Sequence, residues 1–245
     1  MIVRKGEIME FDGTEILIGK GAQADVVEYQ GYAYKIYPKE YPAEWIGFEM
    51  RQQKAVNEAG LSPVRYYKTD DDHILKMDLI DGTPLEKYAN AHDPLSFKIL
   101  ADAFTRVHRA VPEGVDIPPL AATAGMGLGP EEQKIVLPII ERLSGKMKSC
   151  ICHLDMHFLN IMIPKGLSRL SEDTEYTIID WMNSRIAPAV FDYARTYVIF
   201  EEFSGEALAV YKDQILPQMW ELGVKEEDFA DAVKACFLMR QREKN

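Results

Sequence analysis

The segment that most constrains the fold is His153-Leu-Asp-Met-His-Phe-Leu-Asn160, a polar stretch enclosed by two short apolar runs. The run before it is Ser149-Cys-Ile-Cys152 and the run after it is Ile161-Met-Ile163, and both have the length of strands rather than helices. A third run, Tyr176-Thr-Ile-Ile179, ends at Asp180. The pattern predicts a polar loop between two strands, followed by an acidic residue that closes another strand.

Three side chains in this stretch have the chemistry of phosphoryl transfer, a reaction that needs positioning and charge stabilisation more than covalent help. Asp155 would accept a hydrogen bond from an attacking hydroxyl and orient it, while Asn160 and Asp180 offer the hard oxygen ligands that Mg²⁺ prefers. The long span between Asn160 and Asp180 predicts an exposed loop over residues 165–174. The structural alternative is that all three are loop and capping residues.

A glycine-rich segment and a lysine in an apolar strand come earlier in the chain. Gly19-Lys-Gly21-Ala-Gln-Ala24 has alanine in the third glycine position, and glycines let backbone N–H groups approach phosphate oxygens. Lys35 lies in a strand where a solvated lysine is unexpected, so we predict that it binds the α- and β-phosphates. Its acidic partner should lie on the next helix, with Glu49 preferred over Glu44. The structural alternatives are a hairpin turn at Gly19 and Gly21 and a surface salt bridge at Glu49.

The pattern of apolar residues divides the chain into a β-rich part and a mainly helical part. The turn pairs Asp12-Gly13 and Gln30-Gly31 predict two hairpins, the first between strands at 7–11 and 14–18. The segment Asp81-Gly82-Thr-Pro84 interrupts the pattern and predicts a hinge. We therefore predict an α+β fold with a small nucleotide-binding lobe over residues 1–80 and a larger catalytic and substrate lobe over residues 81–245.

Further elements follow from helical spacing, strand patterns and chain breakers. The predictions are a helix from Pro42 to Ala59 with Trp45, Phe48, Gln52, Val56 and Ala59 on or near one face, strands at 65–68 and 73–77, a helix carrying Phe97, Leu100, Ala101, Phe104 and His108, an irregular segment at 112–130, a helix at 131–143, and helices from Val190 onward.

Composition limits the classes of partner. The net charge of −11 argues against nucleic acid, which is bound through clustered Lys and Arg, and fits either a cationic substrate or solubility alone. Three cysteines in 245 residues do not form a disulfide framework, and charges interrupt every apolar run before membrane-spanning length. The start Met1-Ile-Val-Arg-Lys lacks a secretory signal. We expect a cytoplasmic protein without a membrane partner, and the sequence leaves its oligomeric state open.

Cysteine and histidine near the polar loop raise a second interpretation. Cys150, Cys152, His153 and His157 could hold a metal, but their spacing matches no common zinc pattern, and alternate strand positions place both cysteines on one face. His153 is predicted to brace the loop by hydrogen bonding, and His108 to be a packed, hydrogen-bonded core residue. Asp192 is predicted to cap a helix or to tie the loop.

Taken together, these motifs resemble the aminoglycoside phosphotransferase and choline kinase family, whose fold is protein-kinase-like. The family pattern is close to His-Gly-Asp-x-x-x-x-Asn, then Ile-Asp-Trp or Ile-Asp-Phe, then a further Asp opening a helix. The corresponding residues are His153-Leu-Asp155 with Asn160, Ile179-Asp180-Trp181, and Phe191-Asp192-Tyr-Ala194. The resemblance covers roughly residues 15–200, including the hinge-like Met77-Asp-Leu-Ile-Asp-Gly82.

The resemblance implies a site for ATP or GTP. Adenine would bind hinge backbone near Asp78 and Ile80, Asp155 would be the catalytic base, and Asn160 and Asp180 would hold Mg²⁺. The substrate would contact the last part of the chain, where Glu201, Glu202 and Trp181 are candidate contacts unless they form an ordinary packed or solvated face.

Three positions depart from the family pattern. Leu154 replaces the usual Gly, Phe158-Leu159 replaces a Pro-Gly-like pair, and Met182 stands where choline kinases often have Glu. The last departure weakens the expectation of choline as the substrate.

These features predict a small-molecule kinase that phosphorylates a hydroxyl of an amino sugar, an amino alcohol or a related metabolite. One alternative is a catalytically silent nucleotide-binding protein, which has no need for Lys35, Asp155, Asn160 and Asp180 together. Another is a protein kinase, although no Phe-Gly pair and no Ala-Pro-Glu segment follow Asp180.

Overall fold

Two compact units make up the chain, Met1–Asp81 and Gly82–Asn245. The structure is a computed structural model that describes residues 11–21 and 23–242. The first unit is built around one antiparallel sheet, and the second unit is mainly helical.

The sheet of the first unit has the strand order β1-β2-β3-β5-β4, and one helix, α1, follows β3 in the chain. Its elements are β1 Ile16–Lys20, β2 Asp25–Tyr29, β3 Tyr32–Ile36, α1 Ala43–Glu58, β4 Tyr66–Lys68 and β5 Ile74–Asp78. Every neighbouring pair of strands is antiparallel.

The predicted hairpin at Gln30-Gly31 is confirmed. Tyr29 pairs with Tyr32, and Gln30 and Gly31 have φ values of 48° and 77°. Two successive positive φ values match the right-handed twist of the strands that such a tight turn joins. Of the other predicted hairpin, residues 7–10 lie outside the described part of the chain, and the strand expected at 14–18 is found at 16–20, paired with β2.

Of the residues predicted on one face of α1, Gln52 and Val56 are buried. Trp45 and Phe48 are half-buried, whereas the buried face carries Glu49 and the amides Gln52 and Gln53 beside Ile46. Apolar spacing identified only part of this face, because three of its six buried residues are polar and must find hydrogen-bond partners inside the unit. Gln53, for example, donates to the Val64 carbonyl at 2.8 Å.

The second unit contains eight helices and five short strands among its described residues, through Arg242. They are β6 Gly82–Pro84, α2 Glu86–Asn90, α3 Leu95–Arg109, α4 Leu120–Thr123, α5 Pro130–Lys146, β7 Ser149–Cys152, β8 Ile161–Pro164, β9 Thr177–Ile178, β10 Arg185–Pro188, α6 Ala189–Phe203, α7 Gly205–Gln214, α8 Leu216–Glu221 and α9 Glu226–Arg242. In the described part of the chain, no helix has the length and apolar character needed to cross a membrane.

The strands that flank the polar loop belong to two different sheets. β7 pairs with β10, whereas β8 lies between β6 and β9. The expected hinge at 81–84 is in part a strand, because Gly82 to Pro84 pair with β8. Likewise the segment at 112–130 is irregular except for the single turn of α4.

Candidate active site

The polar loop joins β7 to β8 and contains one 3₁₀ turn at Phe158–Asn160. Leu154 has a φ of +57°, a conformation that L-residues with bulky side chains rarely adopt. The family pattern has Gly at this place, so the departure found in the sequence is a side chain on a backbone suited to glycine. The Leu154 side chain is buried, and its packing offsets this strain.

His153 braces the loop, as predicted. It is fully buried, and its Nε2 contacts the Ile179 carbonyl at 3.0 Å while its Nδ1 lies 3.2 Å from the Asp155 N–H. Nε2 therefore donates and Nδ1 accepts, which is the arrangement of a neutral imidazole. Burial lowers the pKa of His153, in agreement with that neutral state. The ring links the Asp155 loop to the segment that precedes Asp180.

Asp192 ties the loop from the opposite side. This fully buried residue in the first turn of α6 accepts hydrogen bonds from the N–H groups of His153 at 3.1 Å and Leu154 at 2.8 Å. Its Oδ2 also lies 2.9 Å from Nε2 of His108, which is the packed, hydrogen-bonded histidine predicted on α3. Of the two roles predicted for Asp192, the structure favours the tie to the loop.

Asp155 lies in a setting that keeps it ionised. Burial raises the pKa of its carboxyl, but the interaction with His157 and the charge of Arg195 outweigh that effect and leave the pKa lowered. His157 Nε2 is 3.7 Å from Asp155 Oδ2. The sequence motifs did not include Arg195. Its position one helical turn after Asp192 places it on the same side of α6, and this was the signal that could have identified it.

Asn160 connects directly to Asp155. Its Nδ2 donates to the Asp155 carbonyl at 2.9 Å and to Asp155 Oδ2 at 3.2 Å, which leaves the amide oxygen for another partner. The Ile179 N–H donates to the Asn160 carbonyl at 3.0 Å, so Asp180 directly follows a residue bonded to Asn160. Asp180 has φ 64° and ψ 62°, a left-handed conformation that Asp tolerates better than most residues. An amide oxygen and a carboxylate are a donor set that fits Mg²⁺.

The loop between β8 and β9 is exposed at most positions from 165 to 174, as predicted, and it is held along α2 and α3. Tyr88 donates its hydroxyl to the Leu167 carbonyl, Asp93 accepts the Leu170 N–H, and Tyr176 donates to Asp102 at 2.6 Å. These contacts fix both ends of the loop and so restrain the strands that carry Asn160 and lead to Asp180.

In the first unit, Lys35 forms the predicted ion pair with α1. Its Nζ lies 2.6 Å from Glu49 Oε1, and the Glu49 side chain is 2% exposed. Glu44, the alternative partner, is exposed in the first turn of α1. Because Glu49 is buried, this ion pair differs from the surface salt bridge that was the structural alternative for Glu49.

The glycine-rich segment forms the connection between β1 and β2. Gly19 lies in β1 beside an irregularity in the pairing, and the Gly21 N–H donates to the Ala24 carbonyl at 2.9 Å. A Cβ at Gly21 would stand 3.1 Å from that carbonyl oxygen, whereas a Cβ at Gly19 would make only ordinary contacts. A side chain at Gly21 would therefore crowd the turn.

Asp78 and Ile80 lie at and just beyond the end of β5. The Asp78 carboxylate accepts from the Arg65 N–H and from the Tyr67 hydroxyl, both at 2.9 Å, which fastens β4 to β5. The side chain of Asp78 is committed to these bonds, and its N–H donates to the Arg65 carbonyl at 3.0 Å.

The cysteines beside the loop form a compact buried group with His108. Their sulfur atoms are 3.9 Å apart, and they and a ring nitrogen of His108 lie within 4.8 Å of one another. Cys152 faces the carbonyl oxygens of Ala187 at 3.4 Å and Pro188 at 3.6 Å, and burial raises the pKa of its thiol well above the usual value. This setting favours a protonated Cys152 thiol that donates to carbonyls over a thiolate metal ligand.

The candidate substrate contacts differ in their surroundings. Trp181 is fully buried, its ring centroid lies 4.6 Å from that of His153, and its indole N–H donates to the Ile178 carbonyl, so it is a packed residue. Glu202 pairs with Arg240 at 2.7 Å, which neutralises its charge. Glu201 is exposed on α6.

Comparison with solved structures identifies the fold. The aminoglycoside phosphotransferase APH(3'')-Id from Streptomyces rimosus matches with a TM-score of 0.64 and 13% identity over 92% of both chains. An aminoglycoside-3'-phosphotransferase of type VIII matches with a TM-score of 0.63 and 17% identity over 91% of this chain and 93% of the other. An ethanolamine kinase from Plasmodium vivax matches with a TM-score of 0.58 and 12% identity over 93% of this chain and 73% of the other. The predicted fold class, α+β and protein-kinase-like, is confirmed.

The sequence identifies the family. The model of the phosphotransferase enzyme family matches residues 15–223, and the chain belongs to that family. The enzyme class expected from the motifs, a phosphotransferase with an alcohol group as acceptor, is confirmed. No curated protein sequence matches the chain significantly. A second structure of the Streptomyces rimosus enzyme, with a TM-score of 0.60 and 14% identity over 88% of this chain and 90% of the other, holds ADP and streptomycin.

Proposed function

We propose that this chain is an ATP-dependent kinase of small molecules, which transfers the γ-phosphoryl group to a hydroxyl of an amino sugar, an amino alcohol or a related metabolite. The observation that carries the proposal is the bonded set in the second unit. Asn160 donates twice to Asp155, and the residue before Asp180 donates to Asn160. A base for the acceptor and two hard ligands for a cation are thereby held in one connected segment.

Asp155 would act on the acceptor. Its lowered pKa keeps it ionised at neutral pH, so it can accept a hydrogen bond from the hydroxyl and align the oxygen for attack. A weak base suits a loose transition state, in which the proton leaves late, after most of the bond to the leaving oxygen has broken. The proton would pass to Asp155 as the new oxygen–phosphorus bond forms, and ADP would leave.

Asn160 and Asp180 would hold Mg²⁺ through the amide oxygen and the carboxylate. When bound, Mg²⁺ supplies positive charge that neutralises phosphate oxygens. The hydrogen bonds from Asn160 Nδ2 to Asp155 fix which amide atom faces the cation.

The first unit would bind the nucleotide. Lys35, held by Glu49, would contact the α- and β-phosphates, the segment from Gly19 to Gly21 would cover them, and the backbone at Asp78 and Ile80 would bind adenine. The choice of ATP over GTP is supported by the ADP in the Streptomyces rimosus structure. Cytoplasmic location, the absence of a nucleic-acid partner and a preference for cationic acceptors remain part of the proposal, and they rest on composition.

The spacing after Asp180 argues against a protein kinase. Only β10 and a short 3₁₀ turn separate Asp180 from α6, which begins at Ala189. This leaves no room for the segment between the metal-binding Asp and the following helix on which protein kinases dock peptides.

The direct test measures ADP release from Mg²⁺-ATP with aminoglycosides, choline, ethanolamine, sugars and nucleosides as acceptors. Asp155→Asn should lower kcat about 100-fold or more while leaving the ADP dissociation constant within about twofold, because Asp155 acts on the acceptor. Asp173→Asn, on the exposed loop, is the matched control and should retain parental turnover.

Turnover of Asp155→Asn at the parental rate would exclude the role proposed for Asp155. If the parent binds ADP but no acceptor raises ADP release above the Asp155→Asn level, a silent nucleotide-binding protein becomes the better description.

A further inference from the structure

The Lys35–Glu49 ion pair has a third member that the sequence motifs do not contain. Glu49 Oε1 accepts from Lys35, and Glu49 Oε2 accepts a hydrogen bond from the hydroxyl of Tyr37. Both oxygens of this buried carboxylate therefore have a donor. Removing one donor would leave a charged oxygen unsatisfied inside the first unit, which is costly.

Tyr37 reaches Glu49 because it directly follows β3. Side chains two positions apart on an extended chain point to the same side, so Lys35 and Tyr37 share a face. The Tyr37 N–H donates to the His73 carbonyl at 2.9 Å and continues the pairing of β3 with β5.

The ring of Tyr37 is held in one orientation. It packs with Ile46 and Leu75 in a buried cluster, and it stacks on Tyr41 with ring centroids 4.9 Å apart and planes inclined by 30°. With the ring fixed by its neighbours, the hydroxyl is aimed at Glu49 before any ligand binds.

Tyr37 is a permanent donor. Burial raises the pKa of its phenol, and although the nearby Lys35 charge opposes this, the carboxylate of Glu49 raises it further. The phenol stays protonated across the pH range in which a protein of this kind is folded, so its hydrogen bond to Glu49 persists.

We propose that Tyr37 is a positioning residue for the nucleotide phosphates. Its hydroxyl holds one oxygen of Glu49, which prevents the carboxylate from rotating and thereby directs the other oxygen to Lys35. Lys35 is then presented to phosphate in a single orientation. This inference rests on the proposed function, because it assigns to Lys35 the role of binding nucleotide phosphates.

The test compares two ligands that differ only in the groups Lys35 would contact. Binding of ADP and of adenosine is measured by calorimetry for the parent, Tyr37→Phe and Tyr34→Phe. Phenylalanine keeps the packed ring and removes only the hydroxyl. Tyr34 is the matched control, since it is buried like Tyr37 but lies within β3 and packs against Phe11 and Tyr29 through its ring.

We expect Tyr37→Phe to weaken ADP binding about tenfold, as for loss of one hydrogen bond to a charged group, and to leave adenosine binding unchanged. Tyr34→Phe should bind both ligands like the parent. Equal weakening of ADP and adenosine would indicate a general loss of structure and would overturn the inference, as would unchanged ADP binding in Tyr37→Phe.

A second measurement asks whether Tyr37 acts through Lys35. In a Lys35→Ala background, Tyr37→Phe should change the ADP dissociation constant by less than about twofold, because the group it positions is gone. A further tenfold loss would overturn the inference. If Lys35→Ala itself binds ADP like the parent, the proposed role of Lys35 fails. If Lys35→Ala weakens ADP while Tyr37→Phe does not, only the present inference fails.

Discussion

At the scale of single residues, Leu154 shows how a side chain can occupy a position suited to glycine. Its φ of +57° costs about 1 kcal/mol relative to glycine, whereas deletion of a buried leucine side chain costs about 2–5 kcal/mol. The burial gain exceeds the backbone strain, which explains why leucine is tolerated next to Asp155.

This balance predicts an inverted order of stability at Leu154. Leu154→Ala loses the packing but keeps the backbone strain caused by the Cβ. Leu154→Gly also loses the packing, but it relieves that strain. We expect Leu154→Gly to be more stable than Leu154→Ala by about 1 kcal/mol in the free energy of unfolding, measured by urea denaturation.

Leu159 provides the control, since it is exposed and its φ is not positive. There the usual order should hold, with Gly less stable than Ala by about 0.5–1 kcal/mol. If Leu154→Gly were the less stable of its pair, the left-handed backbone at Leu154 would be in doubt.

The motif residues and their helpers differ in how far the sequence reveals them. Asp155, Asn160, Asp180 and Lys35 fall at spacings that chemistry constrains, so a pattern finds them. Tyr37 escapes such a search, because its role depends on a hydroxyl meeting a carboxylate on another element, and neither residue type is unusual in its own segment.

At the scale of elements, periodicity located the helices but did not always identify their buried faces. The predicted helices at 42–59 and 131–143 are found at Ala43–Glu58 and Pro130–Lys146. The buried side of α1 was identified only in part: Gln52 and Val56 were assigned to it correctly, but Gln53 also lies on it. A polar residue enters a buried face only when a partner elsewhere satisfies it, and that partner is visible only in the fold.

The packing of α5 against α9 contains a testable electrostatic contact. Asp228 lies in the first turn of α9 with its side chain buried, and it accepts hydrogen bonds from Lys146 and, at 2.7 Å, from Arg142. The bond from Lys146 lowers the pKa of Asp228, burial opposes it, and Arg142 lowers the pKa further. Asp231 also contacts Arg142, at 2.6 Å, but its side chain is 45% exposed.

We expect Asp228→Asn to reduce the free energy of unfolding at pH 7 by about 1 kcal/mol, a value discounted because both cations are more than a third exposed. Because the folded pKa is lowered, this stability is present above the unfolded pKa of about 3.9 and is lost as pH falls through the folded value. Denaturation curves of parent and variant should therefore converge in acid.

Asp231→Asn is the matched control and should change the free energy of unfolding by less than about 0.5 kcal/mol. A difference between Asp228→Asn and the parent that persisted undiminished in acid would have to come from packing rather than charge.

At the scale of the whole molecule, the net charge of −11 should act on charged ligands at a distance. We expect the KM of a cationic acceptor to rise several-fold as ionic strength increases from 0.01 to 0.15 M, because the screening length falls from about 30 to 8 Å. The KM of ATP, an anion, should change in the opposite direction or remain constant.

A neutral sugar alcohol serves as the control acceptor, and its KM should be insensitive to salt. If cationic and neutral acceptors responded alike, the acidic balance would serve solubility, which is the alternative that the composition leaves open.

The sequence by itself determined the chemistry and the order of the elements. Phosphoryl transfer requires particular side chains at particular spacings. The resemblance of the segment from Gly19 to Asp192 to the family follows from that requirement. Hairpins and helices follow from turn residues and apolar repeats, and these signals lie within one short segment of the sequence.

Only the tertiary structure decided which groups meet. Four contacts show this: Lys35 with Glu49 rather than Glu44, Asp192 with the loop, His153 with the Ile179 carbonyl, and Tyr37 with Glu49. Each joins residues at least twelve positions apart. Such contacts depend on how elements pack, because hydrogen bonds and buried charges are satisfied by whichever partner lies within about 3 Å, and sequence distance does not enter that condition.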